Sequence, residues 1–213
     1  MLKSIFAAAA AAAIMGAAFA SFSQASETNL LSASYAAVGQ ATSVPYGWVD
    51  FCGRRPEECR LGALKPLDVR LTKATFAQLD RINRTVNAAI EPITNLAHWG
   101  TTLDHWDYPV DGKGDCKVYA LYKRKLLIDA GFPRQALLMT VVKDLDGDGH
   151  AILTVKTDRG EFVLDNLADD IRPWDATGYT YVKRQAQNDP NVWLDLGGVR
   201  SARNVVSAQR DGG

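Results

Sequence analysis

The sequence predicts an α+β domain in which helices pack on an antiparallel sheet, and three observations carry that expectation. Apolar residues recur at helical spacing between Thr72 and Pro92, and a second helical stretch begins near Cys116. Three strand-like runs then follow at 136–143, 150–157 and 160–167, separated only by tight turns, as consecutive antiparallel hairpins require. A chain of 213 residues fits a single domain with a core that can stand without staples. Lys plus Arg number 24 and Asp plus Glu 24, so no overall field recommends nucleic acid or an acidic surface as a partner. Any partner must be argued from a site.

Taken in order, residues 1–25 read as a signal peptide. Lys3 precedes an uncharged, alanine-rich run from Ile5 to Ala20, followed by small residues suited to cleavage after Ala20 or Ala25. The run is at the short limit for a membrane anchor and its alanines are only weakly hydrophobic. The mature chain, 26–213, is therefore expected to be one exported, soluble domain, with a periplasmic destination and no transmembrane segment. Export makes a disulfide admissible. Cys52 and Cys59 lie close together in "FCGRRPEECR", with Gly53 and Pro56 to turn the chain between them. Closing so short a loop stabilises by roughly 2 to 3 kcal/mol on the chain-entropy model. Cys116 is then left as an unpaired thiol, reactive or deeply buried.

Residues 26–60 show no sustained period and are expected to form an irregular segment draped over the domain. From 73 to 91 the spacing of Phe76, Leu79, Ile82, Val86 and Ile90 predicts an amphipathic helix ended by Pro92. The stretch "HWGTTLDHWDYPVDGKGD", 98–115, reads as a loop, and Asp115 is a good N-cap that sets Cys116 in the first turn of the next helix. A helical wheel groups Cys116 with Tyr119, Ala120, Leu126, Leu127 and Ala130 on an inward side interrupted by Lys123, while "KRK" at 123–125 reads as a solvated face. Gly131 and Pro133 stop this helix. A further strand is expected at 178–185, and fraying after Gly198.

The chemistry converges on three residues. His150 begins one strand and Asp165 ends the next, so hairpin pairing brings them side by side, and a helix packed on that sheet brings Cys116 near. A thiolate is the attacking species, and a helix N-terminus and an imidazolium both favour it. An aspartate holds the imidazole in its useful tautomer. Taken singly, each has a plainer reading: a buried structural cysteine, a hydrogen-bonded strand histidine, and an Asx-turn at Asp165–Asn166.

Three blocks, "GKGDCKVYALYKRKLLIDAGFP", "GDGHAILTVKTDRGEFVLDNL" and "RPWDATGYTYVKRQAQNDPNVW", together with "FCGRRPEECR", resemble the bacterial transglutaminase-like cysteine peptidases. The resemblance runs from about Phe51 to Trp193. It implies a papain-like or transglutaminase-like α+β core with the nucleophile at a helix N-terminus, and puts the family's Cys, His and Asp on Cys116, His150 and Asp165. Trp106 falls where the family often carries a Trp ahead of the nucleophile, which implies a wall or oxyanion-side residue. The LapG-type periplasmic members of the family release surface adhesins, so the resemblance also implies a surface adhesin as substrate and an inner-membrane regulatory receptor as partner. The family commonly reads Gly-Asp-Cys-Glu, with acidic residues flanking the Cys helping to bind calcium. Here Asp115 is present as a potential calcium ligand but Lys117 replaces the Glu, and a cation beside a calcium site costs affinity.

Other metal readings are weaker. "DLDGDG" spaces Asp144, Asp146 and Asp148 as an EF-hand loop does, but its twelfth position is Val155 and it runs into a strand, so a hairpin turn is expected. No C-x-x-C pair proposes zinc. The reading is an exported cysteine peptidase that needs no cofactor. A transamidase with the same residues and a catalytically silent binding module are the alternatives.

Overall fold

Along residues 31–60 and 62–202, which the computed structural model describes, the chain forms in order β1 (Ala41–Thr42), α1 (Tyr46–Arg54), α2 (Pro56–Cys59), α3 (Lys73–Ala89), β2 (Glu91–Pro92), α4 (Asn95–Trp99), β3 (Lys113–Gly114), α5 (Cys116–Asp129), β4 (Leu137–Lys143), β5 (Gly149–Thr157), β6 (Gly160–Leu164), β7 (Arg172–Pro173), β8 (Thr180–Gln185) and β9 (Trp193–Arg200). Residues 1–25, read as a signal peptide, lie outside the described residues. This is the expected α+β architecture. Seven strands form one antiparallel sheet in the order β1-β9-β8-β4-β5-β6-β7, and β2 pairs with β3 as a separate parallel ladder.

The two long helices start where their caps dictate. Thr72 and Thr75 each accept a hydrogen bond from the other's backbone N–H, at 3.1 and 2.7 Å, which satisfies two donors that the first turn of α3 would otherwise leave unpaired. The inward stripe of α3 buries Leu79 and Val86, and Ile90 is buried just past its end. The helix closes at Ala89, two residues earlier than expected, because Glu91 and Pro92 turn extended to pair with Lys113 and Gly114. Asp115 caps α5 by accepting from the Lys117 N–H at 3.2 Å. Gly131, at φ +89, lets the chain leave α5 in a conformation that other residues rarely adopt.

Helix α5 lies between α3 and the sheet, and so it is buried on two sides. Ala120, Leu121 and Leu127 join the main core with Leu137, Met139, Leu153, Val155, Phe162 and Leu164 of β4, β5 and β6. Val118 and Tyr119 pack instead on Val86 of α3 and on Ile90 just past its end. This corrects the reading of "KRK" as solvated. Lys123 and Arg124 are 0% and 2% exposed, and only Lys125 reaches solvent. The other face of the sheet carries Val142, Ile152, Val163, Tyr181 and Leu196 and is partly covered by Ala36 of the N-terminal segment.

Two further corrections concern the chain ends. The segment expected to be irregular contains α1 and α2, each too short for its period to stand out, and Pro56 opens α2 at a position where its missing N–H costs nothing. Strand β9 continues to Arg200, past the Gly198 where fraying was expected, because its backbone pairs with β8 at Tyr181↔Val199 and Thr180↔Arg200. The segment "DLDGDG" is a turn between β4 and β5. Asp144 accepts from the backbone of Asp146 and of Asp148 at 3.0 Å each, which uses its carboxylate to shape the hairpin.

Candidate active site

Cys116, half-buried, is the first residue of α5. Its position is set from both sides: the β2–β3 ladder delivers Gly114 to the helix start, and Tyr119, one turn on, donates its hydroxyl to the Ile90 carbonyl at 2.5 Å. The first turn of a helix carries unpaired N–H groups and a partial positive charge, both of which favour an anion there.

His150 stands at the start of β5 and Asp165 directly follows β6, brought alongside by the register Leu153↔Leu164. The His150 Nε2 donates to Asp165 Oδ1 at 2.8 Å, with both side chains about 95% buried. This bond leaves Nδ1 as the ring nitrogen available to a thiol. Asp165 accepts two more hydrogen bonds, from the Tyr179 hydroxyl at 2.6 Å on Oδ2 and from the Leu167 N–H at 3.0 Å on Oδ1. The Tyr179 ring also stands edge-on to the imidazole, 5.7 Å between centroids. Burial pushes the Asp165 carboxyl up, but these donors outweigh it and hold the group below its ordinary value. Burial also works against the His150 imidazolium, and the Asp165 hydrogen bond and charge, with Cys116, overcome it and raise the histidine well above its usual range.

Cys116 and His150 line one cavity of about 170 Å³ with Asp104, Trp106, Lys117, Val141, Gly149 and Ala151. A second hollow, about 270 Å³, opens on the other side of Cys116 among Pro92, Ile93, Thr94, Gly114, Tyr119 and Asn166. Trp106 forms part of the first cavity's wall and is otherwise buried edge-to-face between Trp48 and Trp193. Its indole N–H is committed to Asp104 Oδ2 at 3.2 Å. The indole lies so close to α1 that a Cβ on Gly47 would sit 2.1 Å from it, so only glycine fits there.

The oxygens beside Cys116 belong to Asp104 and Asp115, the carboxylates a calcium ion there would need. Lys117 Nζ lies 2.6 Å from Asp115 Oδ2 and 3.0 Å from Asp104 Oδ1. Calcium needs six to eight oxygen ligands, and here the two carboxylates converge on an ammonium. This donor set does not fit the ion.

Sequence reasoning did not single out Tyr179, Asp104 or Asn166. Tyr179 sits in a predicted strand region with nothing local to mark it, since its bond joins the residue before β8 to the residue after β6, 14 positions away in the chain. Cys52 and Cys59 are joined in a disulfide, Cα–Cα 5.5 Å. Neighbouring Glu58 accepts from Tyr108 and Arg134 at 2.7 and 2.9 Å.

A thiol at the head of a helix shares a cavity with a sheet histidine on an α+β fold, an arrangement that suits a cysteine peptidase, a hydrolase, and the family match puts the chain in that class. The family follows from the sequence: the profile of the bacterial transglutaminase-like cysteine proteinases (BTLCP) matches residues 38–201, and the chain belongs to that family. Solved structures of Legionella pneumophila LapG are similar to it. One is 28% identical with a TM-score of 0.47, covering 55% of this chain and 67% of that one. The calcium-bound form is 24% identical with a TM-score of 0.49, covering 64% and 76%. The EGTA-treated form is 27% identical with a TM-score of 0.47, covering 55% and 66%. No curated protein matches the chain.

Proposed function

We propose that this cysteine peptidase is an exported, periplasmic enzyme that hydrolyses peptide bonds of a protein substrate through Cys116, His150 and Asp165. The observation that carries the reading is the 2.8 Å hydrogen bond from His150 Nε2 to buried Asp165, on an imidazole that shares its cavity with Cys116. The Cys116 thiolate attacks the carbonyl carbon, and the backbone N–H groups at the start of α5 face the oxyanion that forms. Protonated His150 gives its proton to the leaving amine, and a thioester to Cys116 remains. Neutral His150 then takes a proton from water, the hydroxide attacks the thioester carbonyl, and the carboxylic acid product departs and gives its proton to solvent, with the thiolate and imidazolium restored. Asp165 keeps the ring oriented throughout. Trp106 serves as a wall of the acyl-side cavity.

The hollows on either side of Cys116 support a polypeptide lying across the nucleophile, one on the acyl side and one on the leaving side. Resemblance, rather than geometry, supports a surface adhesin as substrate and an inner-membrane receptor as regulator. Among the described residues no helix is long and apolar enough to cross a membrane. Cys116→Ser and His150→Ala should each lower peptidase turnover by roughly a thousandfold or more while circular dichroism stays unchanged. A Cys116→Ser protein with wild-type turnover would sink the thiol mechanism.

A further inference from the structure

Lys117 stands next to the nucleophile with its side chain 13% exposed and its ammonium between two carboxylates. Each carboxylate divides its oxygens in the same way. Asp104 holds the Trp106 indole with Oδ2 and the ammonium with Oδ1; Asp115 caps α5 with Oδ1 and holds the ammonium with Oδ2. One oxygen of each orders its own segment, and the other ties that segment to Lys117. Burial pulls the lysine down, but Cys116, Asp115 and Asp104 outweigh it and keep it charged.

We infer that Lys117 is a positioning residue that serves as the tethered cation of the active-site lip, fastening the Asp104–Trp106 loop to the head of α5 so that the site is set without a bound divalent ion. It does so by joining segments that share no backbone ladder at that point, and both line the cavity that holds Cys116 and His150. It also leaves the pair of carboxylates beside Cys116 with net charge −1 instead of −2, which lessens their repulsion of an anionic group in the cavity. A calcium ion would have to displace an ammonium bonded at 2.6 and 3.0 Å from the same two oxygens.

The inference rests on the proposed role of Cys116 only where labelling is read. The test measures the thermal midpoint and the rate of Cys116 alkylation by iodoacetamide for the mature protein in excess calcium and in EGTA. Wild type should be indifferent to both. Lys117→Gln should label at least about tenfold more slowly, since small misplacements and lost charge at a reacting centre act on this scale, and Lys117→Arg should recover most of the rate. Lys117→Glu, which gathers three carboxylates, should gain a calcium-dependent rise in midpoint and labelling. A calcium-raised midpoint in wild type, EGTA-sensitive labelling, wild-type labelling in Lys117→Gln, or a Lys117→Glu protein blind to calcium would each overturn it. The midpoints need no catalysis, so they remain decisive even if turnover of Cys116→Ser were to refute the peptidase mechanism.

Discussion

Lys123 shows how a residue beneath the site is held at the expense of stability. It is fully buried on α5, and its Nζ has no hydrogen-bond partner among the described residues. Burial drives its ammonium down to about 7, against the Asp165 and Asp169 carboxylates that raise it. A lysine whose folded pKa lies below its unfolded value binds an extra proton on unfolding, so stability rises with pH between the two. The penalty is complete below about pH 7 and gone above the ordinary lysine value of 10.5. Lys123→Met should therefore stabilise the fold most near neutrality, by up to roughly a few kcal/mol, raising the thermal midpoint there, with the gain shrinking towards pH 10. Midpoints measured from pH 6 to 10 check this; a gain independent of pH would show that the charge is not the cause. Asp165, in contrast, has its burial offset by Tyr179, His150 and the Leu167 N–H.

At the scale of elements, the disulfide segment matters through what it braces. Arg54 donates to the Trp106 carbonyl at 2.6 Å and pairs with Asp107 at 2.7 Å, and Arg55 reaches the same Asp107 at 2.7 Å. Glu58, next to Cys59, receives Tyr108. Helices α1 and α2 thus clamp the loop that carries the wall of the cavity, and the Cys52–Cys59 bond closes the clamp. Reducing it, or making the Cys52→Ala/Cys59→Ala pair, should cost roughly 2 to 3 kcal/mol in urea denaturation and lower turnover as well. Unchanged stability would mean that Glu58, Arg54 and Arg55 hold the segment unaided.

For the whole molecule, the proposed periplasmic destination rests on residues 1–25 alone. Expressed in a Gram-negative host, the full chain should be recovered from the periplasmic fraction with Ser21 or Ser26 as its first residue, read by N-terminal sequencing. Recovery from the cytoplasm with Met1 intact would refute export. The hairpins β4–β5 and β5–β6 were legible because alternating apolar runs and Asp/Gly turns are local signals, and their pairing carries His150 to Asp165. Helices α1 and α2 were not, since nine and four residues are too few for a period to show.

By itself the sequence determined the local events: the cap at Asp115 that puts Cys116 in a first turn, the helical stripe of α3, the strand order around His150 and Asp165, and the family. These depend on spacing, capping and turn chemistry within a few residues. Only the tertiary structure decided that Lys123 and Arg124 are buried, that Tyr179 holds Asp165, and that Lys117 bridges Asp104 to Asp115. A helical wheel assumes one buried face, whereas α5 has α3 on one side and the sheet on the other. The bridge and the tyrosine bond join residues whose separation in sequence says nothing of their distance, and only packing brings such groups within hydrogen-bonding reach.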